Sequence, residues 1–157
     1  MDQNPYRPPH ARLDPRRREP GSIPKAVAIG ALVDIGGTMV AGTVIGVVYI
    51  LLLALQGNSP DEIQRIVTEA SATWSPLWLI STIIGLTMSA LGGYTCAVIA
   101  NRNNYLAPGL LSLLSTSLGA YFGRGEIDLK QLLMLSALTV VAVLGGASLH
   151  NRKFTEG

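Results

Sequence analysis

The sequence predicts an all-α integral membrane bundle of four transmembrane helices preceded by a disordered N-terminal tail. The 157 residues are 48% hydrophobic and only 14% charged, whereas soluble domains carry about 25% charged residues. Residues 26–55 contain one charged side chain and residues 77–100 contain none, and both segments exceed the roughly 18 apolar residues typical of a bilayer span. This composition argues against a soluble enzyme and a nucleic-acid-binding protein. It also argues against a secreted disulfide-bonded protein, because Cys96 is the sole cysteine.

The apolar runs and the polar residues between them divide the chain into segments. A basic, proline-rich tail at 1–25 lacks the apolar residues needed for a core and is predicted to be disordered. The membrane domain is predicted over 26–149 and a second short tail over 150–157. The four predicted spans are 26–55, 77–100, 106–122 and 131–149.

The distribution of basic residues predicts that both termini are cytoplasmic, in a multi-pass protein of the cell inner membrane. Four spans place the N-terminal segment, the middle loop and the C-terminal tail on one side, with nine lysine and arginine residues. The opposite side carries the other three, Arg65, Arg124 and Lys130. Basic residues concentrate on the cytoplasmic side of membrane proteins.

The loop between the first two spans predicts a short amphipathic helix at about 60–74 on the outer surface. Ser59 and Glu62 have the spacing of a capping box, and Pro60 suits the first helical position. Two roles remain open for this helix: a cover on the rim of the bundle, or a surface for an outside partner.

Small residues recur at four-residue spacing within the spans, a pattern that favours close helix packing in lipid. The rows serve either a self-contained bundle or, in part, contacts with another copy of the chain or another membrane protein. The predicted packing residues are Gly30, Thr38, Gly42 and Gly46 in the first span, and Ser81, Gly85, Ser89, Gly93 and Ala97 in the second; Ser115, Gly119 and Gly146 extend the pattern to the later spans.

Asp34 is the only charged residue inside an apolar run, and such residues are candidates for function. Counting back about 20 residues from Leu55 places Asp34 near the inner headgroups, whereas its position in the row of small residues directs it toward other helices. The predicted polar cluster joins Asp34 with Asn101, Arg102 and His150. It is either a structural knot that fixes helix register or a proton-coupled site.

No enzyme, cofactor or metal site is predicted. The sequence contains no paired-histidine helix, no acidic pair on one span, no phosphate-binding Gly/Lys motif and no nucleophile beside a base. Cys96 and His150 alone do not supply the ligands of a metal centre. The predicted partners are the lipid bilayer and either a second copy or another membrane protein, with no nucleic acid.

Three short motifs resemble four-span inner-membrane proteins of bacteria. They are residues 31–37 (ALVDIGG) with 46–49 (GVVY), residues 59–62 (SPDE), and residues 92–94 (GGY) followed by Ala97 and 99–100 (IA). This resemblance implies the fold and no activity. Small multidrug exporters offer a functional analogy, because they have four short helices and an acid in the first, although the aromatic residues of their chamber lack counterparts here.

These observations lead to two functional hypotheses. The first is a non-enzymatic membrane protein that packs with itself or with another membrane component. The alternative is a small proton-coupled transporter that uses Asp34.

Overall fold

The computed structural model describes residues 21–71, 75–101, 105–123 and 128–155, with side chains as far as residue 150. All regular structure in these ranges is helical. The elements are α1 (Ile23–Ala31), a π-helical segment (Leu32–Gly36), α2 (Gly37–Leu55), α3 (Pro60–Ala70), α4 (Pro76–Ala100), α5 (Leu106–Phe122) and α6 (Leu129–Thr155).

The helix bounds follow the predicted spans closely except at the start of the first helix and the end of the last one. The first helix begins at Ile23 rather than residue 26, because Pro24 fits the first turn of a helix. The last helix continues to Thr155, through residues predicted as a tail. Most of the basic tail predicted over 1–25 lies outside the described residues.

Within the described ranges, three helices have the length and apolar composition to cross a membrane: 33 residues over Ile23–Leu55, 25 over Pro76–Ala100 and 22 over Leu129–His150. The remaining apolar helix, α5, has 17 residues. At 1.5 Å per residue α5 is about 26 Å long, slightly less than the roughly 30 Å of a hydrocarbon core.

The helices alternate in direction along the bundle. The start of the first helix lies beside the end of α4, where the Gly21 amide donates to the Ala100 carbonyl at 3.0 Å. Helix α1 therefore runs antiparallel to α4. The starts of α1 and α5 and the ends of α4 and α6 lie together, here named the Ala100 end; the opposite end is named the Pro76 end.

Helices α4 and α6 make the most extensive contact in the bundle, and glycines allow it. Each helix carries a Leu-Gly-Gly sequence. A Cβ on Gly93 would collide with the Val143 carbonyl of α6, and a Cβ on Gly146 would collide with the Ala90 carbonyl of α4. The second glycine of each pair therefore lets one backbone lie directly on the other, as in other small-residue membrane packing.

The π-helical segment separates two parts of the first helix that pack differently. Before it, Gly30 lies tightly against α4, where an added Cβ would be 2.9 Å from Cys96 Cβ. Beyond it, Cβ atoms added to Gly42 and Gly46 would meet nothing within 4 Å. Insertion of a π turn changes the direction and facing of a helix, and α2 accordingly diverges from α5 and α6.

The connection between α2 and α4 contains the predicted amphipathic helix, as α3. The predicted capping box is confirmed: the Ser59 amide donates to Glu62 Oε2 at 3.0 Å, and the Glu62 amide donates to Ser59 Oγ at 3.4 Å. The hydrogen bond from the Ser59 backbone lowers the pKa of the Glu62 carboxyl. Helix α3 ends at Ala70, and Trp74, which the prediction included, lies outside the described residues.

Candidate functional site

Asp34 lies on the π-helical segment and is 4% exposed. Two serine hydroxyls from different helices donate to its two carboxylate oxygens. Ser89 Oγ on α4 is 2.7 Å from Oδ1, and Ser115 Oγ on α5 is 2.5 Å from Oδ2. The side chain of Asp34 thus joins three helices of the bundle.

Close backbone packing holds the carboxylate in this position. A Cβ on Gly92 would lie 2.8 Å from Asp34 Cβ and 2.8 Å from the Gly30 carbonyl oxygen. Only glycine at position 92 leaves room for Asp34 to approach α4 this closely. On the other side of the segment, Thr38 Oγ1 donates to the Asp34 carbonyl at 2.7 Å, which supports the carbonyl where the regular helical hydrogen-bond pattern changes.

Asp34 lies at the level of the middle of the bundle, not near one of its ends. Its partner Ser89 is about 20 Å from the Pro76 end of α4 and about 17 Å from the Ala100 end, at 1.5 Å per residue. The headgroup depth obtained by counting back from Leu55 stays a prediction, because it refers to the bilayer and not to the bundle.

A chamber of about 450 Å³ extends from the Asp34 carboxylate toward the Pro76 end. Helix α4 forms its back wall, the π-helical segment and α2 form one side, and α5 and α6 form the other. Its volume is in the range of small-molecule sites, roughly 300–1,000 Å³. The lining residues are Asp34, Ile35, Thr38, Met39, Trp78, Ser81, Thr82, Gly85, Leu86, Ser89, Ser115, Leu118, Gly119, Phe122, Leu135 and Thr139.

Asp34 is the only titratable residue in the part of this lining that the structure describes. The other polar groups are hydroxyls and the Trp78 indole, and the remaining walls are apolar. The other titratable side chains that the structure describes on the surrounding helices lie outside the lining: Lys25 on α1, Tyr49 on α2, Tyr94 and Cys96 on α4, Tyr121 on α5, and Lys130 and His150 on α6.

The other members of the predicted polar cluster lie away from Asp34. Asn101 ends α4 in a left-handed conformation with φ of 46°, about 18 Å along the helix from Ser89. His150 packs edge-on against the Tyr94 ring, with 5.9 Å between ring centroids. Arg102 lies outside the described residues. The structure therefore brings serines, rather than Asn101 or His150, to the Asp34 carboxylate.

The predicted small-residue rows divide into two groups. Gly30, Ser89, Gly93 and Ala97 are buried at helix contacts. Of the five others, Thr38, Ser81 and Gly85 line the chamber, as the buried Ser89 also does, whereas Cβ atoms added to Gly42 and Gly46 would meet nothing within 4 Å.

Three features of the site were not identified from the sequence. Gly92 lies outside the four-residue rows, yet it faces both Gly30 and Asp34. Ser89 and Ser115 belonged to the rows but were not identified as partners of the carboxylate. The sequence did contain a signal for these two serines, because hydroxyl residues near the middle of apolar helices commonly donate hydrogen bonds across helix contacts.

The described residues contain no group of three or more histidine, cysteine, aspartate and glutamate side chains arranged to hold a metal ion. The chain matches no known protein family, no curated protein and no solved structure.

Proposed function

We propose that the chain is an integral membrane protein of four crossing helices that binds and moves a small solute in exchange for a proton on Asp34. The observation that carries this proposal is the buried carboxylate at the floor of a 450 Å³ chamber. A merely structural hydrogen-bonded knot would not require a cavity of this size beside it.

The surroundings of Asp34 favour an exchangeable charge. An ionised carboxylate in a hydrocarbon environment is costly unless it is paired. The described partners of Asp34 are the neutral hydroxyls of Ser89 and Ser115, so these contacts leave the charge itself uncompensated. A proton or a bound solute can supply that compensation, and alternation between the two couples their movements.

The packing of α5 supports a fourth crossing. One face of α5 is buried in the bundle through Ala107, Pro108, Leu111 and Ser112. Its opposite face exposes large apolar side chains, including Leu113 at 63% exposure. Such a helix is suited to contact its neighbours on one side and lipid on the other. Slight local thinning of the bilayer accommodates its length at modest cost.

Proton movement in reconstituted liposomes tests the proposed function. The protein is placed in vesicles containing a pH-sensitive dye, and quaternary ammonium compounds, aromatic carboxylates, sugars and amino acids are added one at a time under a proton gradient. We expect at least one solute to cause proton movement that protein-free vesicles lack. Asp34→Asn should abolish this movement, because the amide cannot carry the exchanged proton.

Asp61→Asn is the matched control, since it removes one carboxylate from the exposed first turn of α3, which is not among the chamber's described lining residues. It should retain the solute-dependent signal. The proposal is wrong if no solute class moves protons, or if Asp34→Asn folds normally and transports as well as the wild type. An Asp34→Asn protein that simply loses its fold would favour the structural knot.

A second candidate function is association through the exposed surface of α2, with another copy or with another membrane protein. Gly42 and Gly46 offer a surface where an added Cβ would meet nothing within 4 Å. Around them are exposed apolar side chains, among them Met39, Val40 and Val47. A native mass measured in mild detergent tests this candidate: a strictly monomeric mass without a companion protein would count against it.

A further inference from the structure

We infer that the Asp34 chamber recognises a monovalent organic cation with an apolar body, which enters from the lipid phase between α2 and α5. This inference rests on the proposed function and specifies its substrate class. Three features of the chamber carry it: the single charge, the walls and the open side.

The charge at the floor selects the sign of the ligand. Among the lining residues that the structure describes, Asp34 is the only ionisable group and none is cationic. A cationic ligand compensates the carboxylate, whereas an anion would add a second negative charge in a region of low dielectric constant. A single carboxylate also matches a single positive charge, because a second charge on the ligand would find no counterpart in the described part of the lining.

The walls select an apolar body with few hydrogen-bonding groups. Leu86, Leu118 and Leu135 contribute aliphatic surface. Trp78 and Phe122 stand toward the Pro76 end, where an aromatic ring can contact the positively charged or apolar part of a ligand. Many of the hydroxyls already donate within the protein: Thr38 and Thr139 donate to carbonyls of their own helices, and Ser89 and Ser115 donate to Asp34.

The open side of the chamber faces the surface that the apolar helices present to lipid. In the described residues α2 packs mainly on α3, α4 and the π-helical segment and makes no extensive contact with α5 or α6. Met39 on one edge of this gap is 69% exposed, and Phe122 on the other is 75% exposed. A ligand that partitions into the bilayer can therefore reach Asp34 without first crossing an aqueous vestibule.

The binding step exchanges one positive charge for another. Protonated Asp34 loses its proton to solvent as the cation arrives, and the resulting carboxylate pairs with the cation and keeps its two serine donors. Charge at the site is conserved, so no further ion is needed. Binding of the cation should therefore weaken as the proton concentration rises.

Three aromatic probes of similar size and different charge test the inference: N-methyl-4-phenylpyridinium as the cation, 4-methylbiphenyl as the neutral probe and biphenyl-4-carboxylate as the anion. Binding is measured by calorimetry with the full chain in lipid nanodiscs, with empty nanodiscs subtracted. We expect saturable binding of the cation only, with release of about one proton per cation bound. Asp34→Asn should weaken it at least about 30-fold, while Asp61→Asn should leave it unchanged.

Leu118→Trp provides a second variant that keeps the carboxylate and fills the apolar wall. It should weaken cation binding while Asp34 remains in place, which separates loss of the site from loss of the fold. Saturable binding of the neutral or anionic probe with equal or greater affinity would overturn the cation assignment but leave proton-linked transport standing. If the cation fails to bind and the liposome panel is also silent, both the inference and the proposed function fail.

Discussion

Replacing Gly146 with alanine should destabilise the bundle by about 3 kcal/mol, close to the upper end of the usual cost of overpacking a core. The new methyl group would collide with the backbone carbonyl of Ala90, and a backbone atom cannot move aside as the end of a flexible side chain can. Helices α4 and α6 would have to separate along their most extensive contact. The free energy of unfolding, measured by SDS titration of the protein in mixed micelles, checks this expectation.

Gly145→Ala is the control, because it introduces the same methyl group one residue earlier in the same helix. A Cβ at Gly145 meets nothing within 4 Å, and alanine is favoured over glycine in helices by about 1 kcal/mol. This variant should be as stable as the wild type or slightly more stable. Equal destabilisation by the two substitutions would show that α4 and α6 do not meet through Gly146.

Removing both serine hydroxyls around Asp34 should also lower the stability of the bundle strongly. Hydrogen bonds across helices in membrane proteins contribute about 1–2 kcal/mol in favourable cases. We therefore expect Ser89→Ala and Ser115→Ala together to lower the free energy of unfolding by about 3 kcal/mol. The loss arises because a buried carboxyl group is left without the donors that satisfy its two oxygens.

A double-mutant cycle separates these hydrogen bonds from the packing of the serines. In an Asp34→Ala background, the same two serine substitutions should cost little, since the acceptor is already absent. If the two serine substitutions lower the free energy of unfolding as much in the Asp34→Ala background as in the wild type, the serines stabilise the bundle without Asp34. The interpretation that the Asp34 side chain joins three helices would then be wrong.

The helices themselves could be predicted from the sequence with good accuracy. Long apolar runs and their flanking residues determine where α4 and α5 begin and end, and the Ser59 capping box determines the start of α3. The π-helical segment could not be predicted in this way. Apart from Asp34, the residues of Leu32–Gly36 have the same apolar character as the α-helices on either side, and the direction in which α2 leaves the bundle depends on the packing before it.

The candidate site could be predicted only in part. Asp34 stands out because it is the one charged residue in an apolar run, and four-residue spacing identified Ser89 as a packing position. The partners of Asp34 could not be deduced, because they depend on the relative level of helices far apart in the sequence: Ser89 is 55 residues away and Ser115 is 81 residues away. The expected partners Asn101 and His150 lie toward the Ala100 end, where Asn101 ends α4 and His150 packs against Tyr94.

Solid-state NMR of the protein in lipid bilayers, with carbon-13 in its aspartate, serine and histidine residues, tests the central claim most directly. The Asp34 carboxyl resonance is assigned by its absence in Asp34→Asn. We predict through-space cross-peaks from this carboxyl carbon to Cβ of both Ser89 and Ser115, with none to the His150 ring. Cross-peaks to the His150 ring, or the absence of both serine cross-peaks, would contradict the position of Asp34 at the floor of the chamber.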